Sequence, residues 1–264
     1  MKIIHLSDIH IGKSNNLAKF IDIVDWIIAN KQNHGTNVIV ITGDIVDDGS
    51  LGNYNMATKQ IDRLKNDGFI VMSVPGNHDY GKTGITENMQ CMHYFKKYIS
   101  DTDYPHKEVI GNTVFILLDS MLQEMRTRNF WGAQGELGRN QLNELERILI
   151  DIEENDPQKK VVVALHHHPF YKSGTMTLRD NHLFKKIIMD DNGGDSRIDC
   201  LLFGHKHDEK RFSGEVKAKY DKEKKYNIGI VYSSGATTSR RKNGKMIIPI
   251  IDIDTNTIDR IEID

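Results

Sequence analysis

Five times along this chain a run of apolar residues, mostly Ile, Val and Leu, stops at a cluster of residues able to hold a metal. Residues 2–6 lead to Asp8-Ile9-His10, 38–41 to Gly43-Asp44, and 69–74 through Pro75 to Gly76-Asn77-His78-Asp79. Later, residues 161–165 run into His166-His167-His168-Pro169, and 198–203 into Gly204-His205-Lys206-His207. Short continuous apolar runs read as strands buried on both faces. Between the first three lie two helical stripes, Leu17, Phe20, Ile21, Val24, Ile27, Ile28 and then Tyr54, Ala57, Ile61, Leu64, the second followed by Gly68 as a C-cap. The order β-α-β-α-β predicts parallel strands, right-handed crossovers and a sheet covered on both faces. In such sheets ligands gather beyond the carboxyl ends of the strands, so clusters far apart in sequence become neighbours in space.

The second half repeats the pattern more loosely. Residues 114–118 and 161–165 read as strands around a helical stripe of Leu142, Leu145, Leu149 and Ile152, and a helix near 183–189 precedes the strand 198–203. A further strand at 228–232 and a hairpin, 246–253 turning through Asp254-Thr255-Asn256-Thr257 into 258–263, predict a second sheet packed near the first. The charged stretch 206–225 reads as a solvated excursion. No Pro/Gly/Ser-rich linker divides the chain and both halves supply polar clusters, so residues 1–264 read as one domain.

Composition narrows the function classes. A net charge of -2 exerts no overall pull on nucleic acid or an anionic membrane, so an anionic substrate must be drawn in locally. Two cysteines, Cys91 and Cys200, support neither a disulfide framework nor a thiolate zinc site. The N-terminus lacks the apolar run of a signal peptide, and no segment approaches the roughly 18 apolar residues of a membrane span. The expectation is a cytoplasmic protein without membrane contact.

Asp8 and His10, at i and i+2 after a strand, point to one side and reach a common ion. Carboxylate and imidazole donors suit Mn, Fe, Zn, Ni or Co. Asp44 carries two oxygens and is able to bridge two ions. Gly76-Asn77-His78-Asp79 is the most specific cluster, because Asn is an uncommon metal ligand.

Together the five blocks, spanning residues 8–207, resemble those of the calcineurin-like metallophosphoesterase family. The resemblance implies an α/β fold of two mixed β-sheets packed as a sandwich and flanked by helices, in four αββα layers. It implies two divalent or mixed-valence transition-metal ions, with Mn2+ or Fe favoured over Zn2+, Ni2+ and Co2+. Matched residue by residue, Asp8, His10, Asp44 and His207 hold one ion and Asp44, Asn77, His167 and His205 the other. His78 is then the non-ligand histidine that stabilises or protonates the leaving oxygen, and Asp79 orients it. In similar sequences the ligand lies two residues before the proline, which selects His167 and turns His168 to the substrate cleft, with a shift of one residue to His166 as the alternative. Two such ions about 3.5 to 4 Å apart lower the pKa of a bound water, making hydroxide the nucleophile for in-line hydrolysis.

Two look-alikes fail. Gly12-Lys13-Ser14 lacks the glycine five residues upstream that a phosphate loop needs, Ser7 standing there. Asp48 and Asp79 replace the Arg and Glu of protein Ser/Thr phosphatases. Asp119-Ser120, Gly135-Glu136-Leu137 and Gln141-Leu142 are similar to the class III cyclic nucleotide phosphodiesterase branch. Between them Arg126, Arg128, Phe130 and Trp131 lie on a loop placed to grip a phosphate and stack on a base. The expected partner is a small phosphoester, a cyclic nucleotide or similar diester. A nuclease of the repair-exonuclease type, whose N-terminal motif looks like residues 5–12 and for which Arg240, Arg241 and Lys242 offer basic charge, is the alternative, with nucleic acid less favoured. A non-catalytic metal-stabilised scaffold fits less well with an intact His78. Oligomeric state is not legible in the sequence.

Overall fold

The computed structural model describes residues 1–82, 86–121, 134–170, 176–189, 195–213 and 222–264. The first part of the chain runs β1 (Lys2–Leu6), α1 (Asn16–Ala29), α2 (Lys31–His34), β2 (Val38–Thr42), α3 (Leu51–Asn66), β3 (Ile70–Val74), β4 (Gly81–Lys82), β5 (Thr86–Glu87) and α4 (Met89–Tyr98). The second runs β6 (His106–Ile110), β7 (Thr113–Leu117), α5 (Arg139–Asn155), β8 (Lys160–Ala164), α6 (Asn181–Ile187), β9 (Cys200–Phe203), β10 (Lys210–Arg211), α7 (Lys222–Tyr226) and β11 (Ile230–Ser233). A hairpin of β12 (Met246–Asp252) and β13 (Thr257–Ile263) ends it.

Two mixed sheets result, ordered β13-β12-β1-β2-β3 and β10-β11-β9-β8-β7-β6. Strands β1, β2 and β3 are parallel, as are β7, β8, β9 and β11, while β12, β13, β6 and β10 pair antiparallel with their neighbours. The period-two alternation of strand side chains sorts the apolar residues into three cores. Ile4, Leu6, Ile39 and Ile41 face Phe20, Ile23, Val24 and Ile27 of α1 and Tyr54, Ala57, Ile61 and Leu64 of α3. Val114, Ile116, Val161, Val163, Leu201 and Phe203 face Leu142, Leu145, Leu149 and Ile152 of α5 and Phe184 of α6. The intervening residues Ile3, Val38, Val40, Phe115, Leu117, Val162, Ala164, Cys200 and Leu202 meet between the sheets. Each sheet is thus covered on both faces, by helices on one and by the other sheet on the second, and the layers follow the order αββα.

The hairpin departs from expectation. It extends the first sheet, with β12 antiparallel to β1 (Ile3 opposite Ile251), because Ile251 and Ile253 bury between the sheets while Met246, Ile248 and Ile250 bury toward the helices. The second sheet is built instead from β6 to β11. Part of the charged stretch 206–225 is also structured: β10 pairs with β11, and Phe212 is buried. Among the described residues no helix is long and apolar enough to cross a membrane.

Candidate metal centre

Beyond its last paired residue, β1 continues as a loop alongside the one that follows β2: the Asp8 amide donates to Gly43 O at 3.0 Å, His10 N to Asp44 O at 2.9 Å and Ile11 N to Ile45 O at 2.9 Å. Positive φ is uncommon outside glycine and costs about 1–3 kcal/mol per residue, a cost that concentrates at functional sites. Among the described residues, five of the eight non-glycine positions with positive φ are Asp8, His10, Asp44, His205 and His207. Their neighbours close in tightly. A Cβ on Gly204 would strike Ser7 Oγ and Asp8 Oδ2, and one on Gly76 would strike Asp44 Oδ1, so only glycine lets these loops approach.

Two donor clusters result, sharing the Asp44 carboxylate. In the outer one His10 Nε2 stands 3.0 Å from His207 Nε2 and 3.8 Å from Asp44 Oδ2, and His207 Nε2 is 3.3 Å from Asp8 Oδ1. In the inner one His166 Nε2 stands 3.1 Å from His205 Nδ1, 3.2 Å from Asn77 Oδ1 and 3.4 Å from Asp44 Oδ2. Donors about 2.1 Å from a common ion lie roughly 3.0 to 3.4 Å from one another in octahedral or tetrahedral arrangement, so most of these spacings suit a transition metal without rebuilding. Asp8, Asp44, His166 and His205 are buried, while the side chain of His207 is 43% exposed at the mouth.

The electrostatics ask for positive charge. Burial by itself would raise the Asp44 carboxyl, but His166, His78 and His10 hold it well below its usual range. Burial would lower His166, yet Asp44 and Asp8 push its imidazolium up to about 9. A fully buried imidazole that retains a proton this strongly occupies a place where the carboxylates favour a cation. His205, by contrast, is brought to about 3 by burial and by His166. Oxygen and nitrogen donors without sulfur, in two linked cages, fit a pair of first-row ions.

Other expected residues lie elsewhere in the arrangement. His167 joins His166 and His205 in a group whose ring nitrogens lie within 4.8 Å of one another: its Nδ1 meets Ser120 Oγ at 2.7 Å, and its Nε2, like that of His205, is buried without a hydrogen-bond partner, as a metal ligand would be. His166 reaches toward Asn77 and Asp44 through Nε2, with its Nδ1 2.7 Å from Thr42 O, so both residues of the alternative stand at the inner cluster. His168 lies among aromatic rings. Its ring packs 4.7 Å from Phe203 and 5.2 Å from Phe212, and burial together with Lys206 lowers it to about 3.

His78 is part-exposed beside His10, ring centroids 4.6 Å apart. The Asp79 carboxylate does not orient it: Oδ1 accepts from Ile45 N and Val46 N and Oδ2 from Gly76 N, at 2.9 to 3.0 Å, so three backbone amides consume it and the loops after β2 and β3 are pinned together. The group that holds His78 is Asp47, whose carbonyl oxygen lies 2.8 Å from His78 Nδ1, while its carboxylate stands 3.1 Å from His10 Nδ1. Sequence reasoning misses Asp47, although it sits three residues after Asp44 in the same motif. Arg126, Arg128, Phe130 and Trp131 lie outside the described residues. Among the described residues on either side of them, Glu136 N donates to Ser120 O at 2.7 Å and the Gln141 amide brackets the Asp119 backbone.

Comparison with known proteins gives a consistent set of likenesses. The model of the calcineurin-like phosphoesterase family matches residues 1–209. The 3',5'-cyclic adenosine monophosphate phosphodiesterase CpdA of Haemophilus influenzae is 24% identical over 222 residues, covering 79% of this chain and 70% of that protein. One component of the nuclease SbcCD of Escherichia coli is 29% identical over 85 residues, 30% of this chain and 21% of that component. Purple acid phosphatase PPD1 from yellow lupin (Lupinus luteus) seeds shares the fold, with a TM-score of 0.53 at 14% identity over 80% of this chain and 38% of the phosphatase.

Proposed function

The chain belongs to the calcineurin-like phosphoesterase family of metal-dependent hydrolases, and from that premise we propose that it is a dinuclear phosphodiesterase acting on a cyclic nucleotide or a similar small diester. The observation that carries the reading is Asp44, whose Oδ2 lies in reach of both His10 and His166 and so joins two donor cages into one centre. In this reading Asp8, His10, Asp44 and His207 hold the outer ion, and Asp44, Asn77, His205 and one of the neighbouring pair His166 and His167 the inner one. When bound, the two ions supply positive charge to the phosphoester and acidify a water for attack.

The protein's own groups do the rest. The His78 Nδ1–H donates to the Asp47 carbonyl, which fixes the ring, so that Nε2 donates to the leaving oxygen from the imidazolium form. Asp79 is a positioning residue that keeps the loops bearing Asp44 and Asn77 at a constant separation. The likeness to CpdA over 79% of the chain supports a cyclic nucleotide or related diester. The shorter likeness to the SbcCD component keeps single-stranded nucleic acid as a second reading. One feature weakens it, because Arg241, one of its basic residues, is tied to Glu209 at 2.5 Å.

A substrate panel tests the proposal. The Mn2+-loaded protein is expected to cleave cyclic AMP and a chromogenic diester faster than the corresponding monoester or single-stranded DNA. Equal or greater rates on the monoester contradict the diester preference, and DNA as the best substrate favours the nuclease reading.

A further inference from the structure

Glu209 lies two residues past His207, and its side chain is only 8% exposed. Its Oε1 accepts from the Tyr232 hydroxyl at 2.7 Å and from Arg260 Nε at 2.5 Å, and its Oε2 from an Arg241 guanidinium nitrogen at 2.5 Å. These three partners come from β11, from the segment after it and from β13. One carboxylate therefore ties the His205–His207 loop to the C-terminal hairpin through charge-assisted bonds, the strong kind. The approach is close: a Cβ on Gly235 would meet both the Arg241 guanidinium and Glu209. All three partners lie beyond residue 209, where the family match stops.

His207 is the donor most in need of such an anchor. It holds φ at +53°, is the most exposed member of its cluster, and contacts groups that the ion itself would draw together. On its N-terminal side the loop is fixed toward the inner cage, with Gly204 N donating to His166 O at 3.1 Å and His205 N to the Asp8 carboxylate at 3.1 and 3.2 Å. On its C-terminal side the loop is fixed by Glu209 and, just beyond it, by the pairing of β10 with β11. Loss of Glu209 would leave the inner donors and that pairing in place and remove the side-chain tie nearest His207.

We propose that the Glu209–Arg241–Arg260 clamp is a positioning device for His207, through which the C-terminal hairpin sets the affinity of the outer metal position while leaving the inner one unaffected. The inference rests on the dinuclear reading above. Groups that orient metal ligands typically change affinity by about 10- to 100-fold when removed.

Calorimetric titration of the metal-free protein, residues 1–264, with Mn2+ tests it, using wild type, Glu209→Gln, Arg260→Gln and His207→Ala in parallel, with melting curves to confirm folding. Wild type is expected to bind two ions. Glu209→Gln should keep one site at its wild-type affinity and weaken by about 10- to 100-fold the same site that His207→Ala weakens, with Arg260→Gln between. Two wild-type affinities in a folded Glu209→Gln protein, or equal weakening of both sites, overturn the clamp while the dinuclear reading stands. If Glu209→Gln does not fold, Arg260→Gln decides, and an unchanged outer affinity overturns the clamp. Fewer than two ions in wild type sinks the dinuclear reading and the clamp together.

Discussion

At the scale of single residues, His78 is the group whose task is most separable from holding the site together. Its Nδ1 is engaged by the Asp47 carbonyl, and the imidazole belongs to neither cage around Asp44. Its backbone amide, which any residue supplies, is what reaches Asp44 Oδ1 at 2.9 Å. His78→Ala is therefore expected to bind two ions as wild type does and to lose roughly 10² to 10⁴ in turnover, the range typical of a removed general acid. Steady-state rates together with metal analysis check this, and a normal rate would remove His78 from the chemistry. The convergence of Asp8, His10, Asp44, Asn77, His205 and His207 is legible in the sequence because each follows a strand whose direction is set by an apolar run. The triple histidine is not resolved there, because proximity to Pro169 points to His167, whose buried Nε2 has no hydrogen-bond partner, whereas His166 reaches Asn77 and Asp44. Left-handed backbone at five donors is invisible, since Asp and His carry no sequence mark for it.

At the scale of elements, the loops after β1, β3 and β9 work only because glycines let them touch. Gly204 has Ser7 Oγ and Asp8 Oδ2 where a side chain would begin, whereas Gly52 in α3 has open space. Gly204→Ala is expected to lower unfolding free energy by about 1–3 kcal/mol, the usual cost of overpacking. It should also weaken metal binding, because Asp8 must move. Gly52→Ala should be neutral or stabilising by up to ~1 kcal/mol, as for glycine in an exposed helix position. Denaturant melts of the two variants check the contrast, and a Gly204→Ala protein with wild-type stability and metal affinity would contradict the packing account. Helices α1, α3 and α5 are legible from their stripes: those of α3 and α5 reappear as buried faces, while α1 buries Phe20, Val24 and Ile27 of its stripe together with Ile23, which lies outside it. Strand β6 is not: alternate partly buried and exposed residues in HKEVI leave no apolar run, and its pairing with β7 is what makes it a strand. The hairpin β12–β13 is recognisable as a hairpin but its sheet is not, because which sheet a hairpin extends is decided by tertiary packing against β1.

At the scale of the whole molecule, the β1–β3 loops bring Asp8, His10, Asp44, Asn77 and His78, and the β8 and β9 loops bring His166, His205 and His207. Neither sheet holds a full set of donors, so the two must stay in register across the shared core for either cage to form. We take residues 1–264 as one domain on that ground. The most direct test is anomalous diffraction at the manganese edge from crystals grown with Mn2+. Two peaks per chain are predicted, both against Asp44, with His10 and His207 on one and Asn77, His205 and either His166 or His167 on the other. A single peak, or two peaks of which neither touches Asp44, would contradict the dinuclear centre.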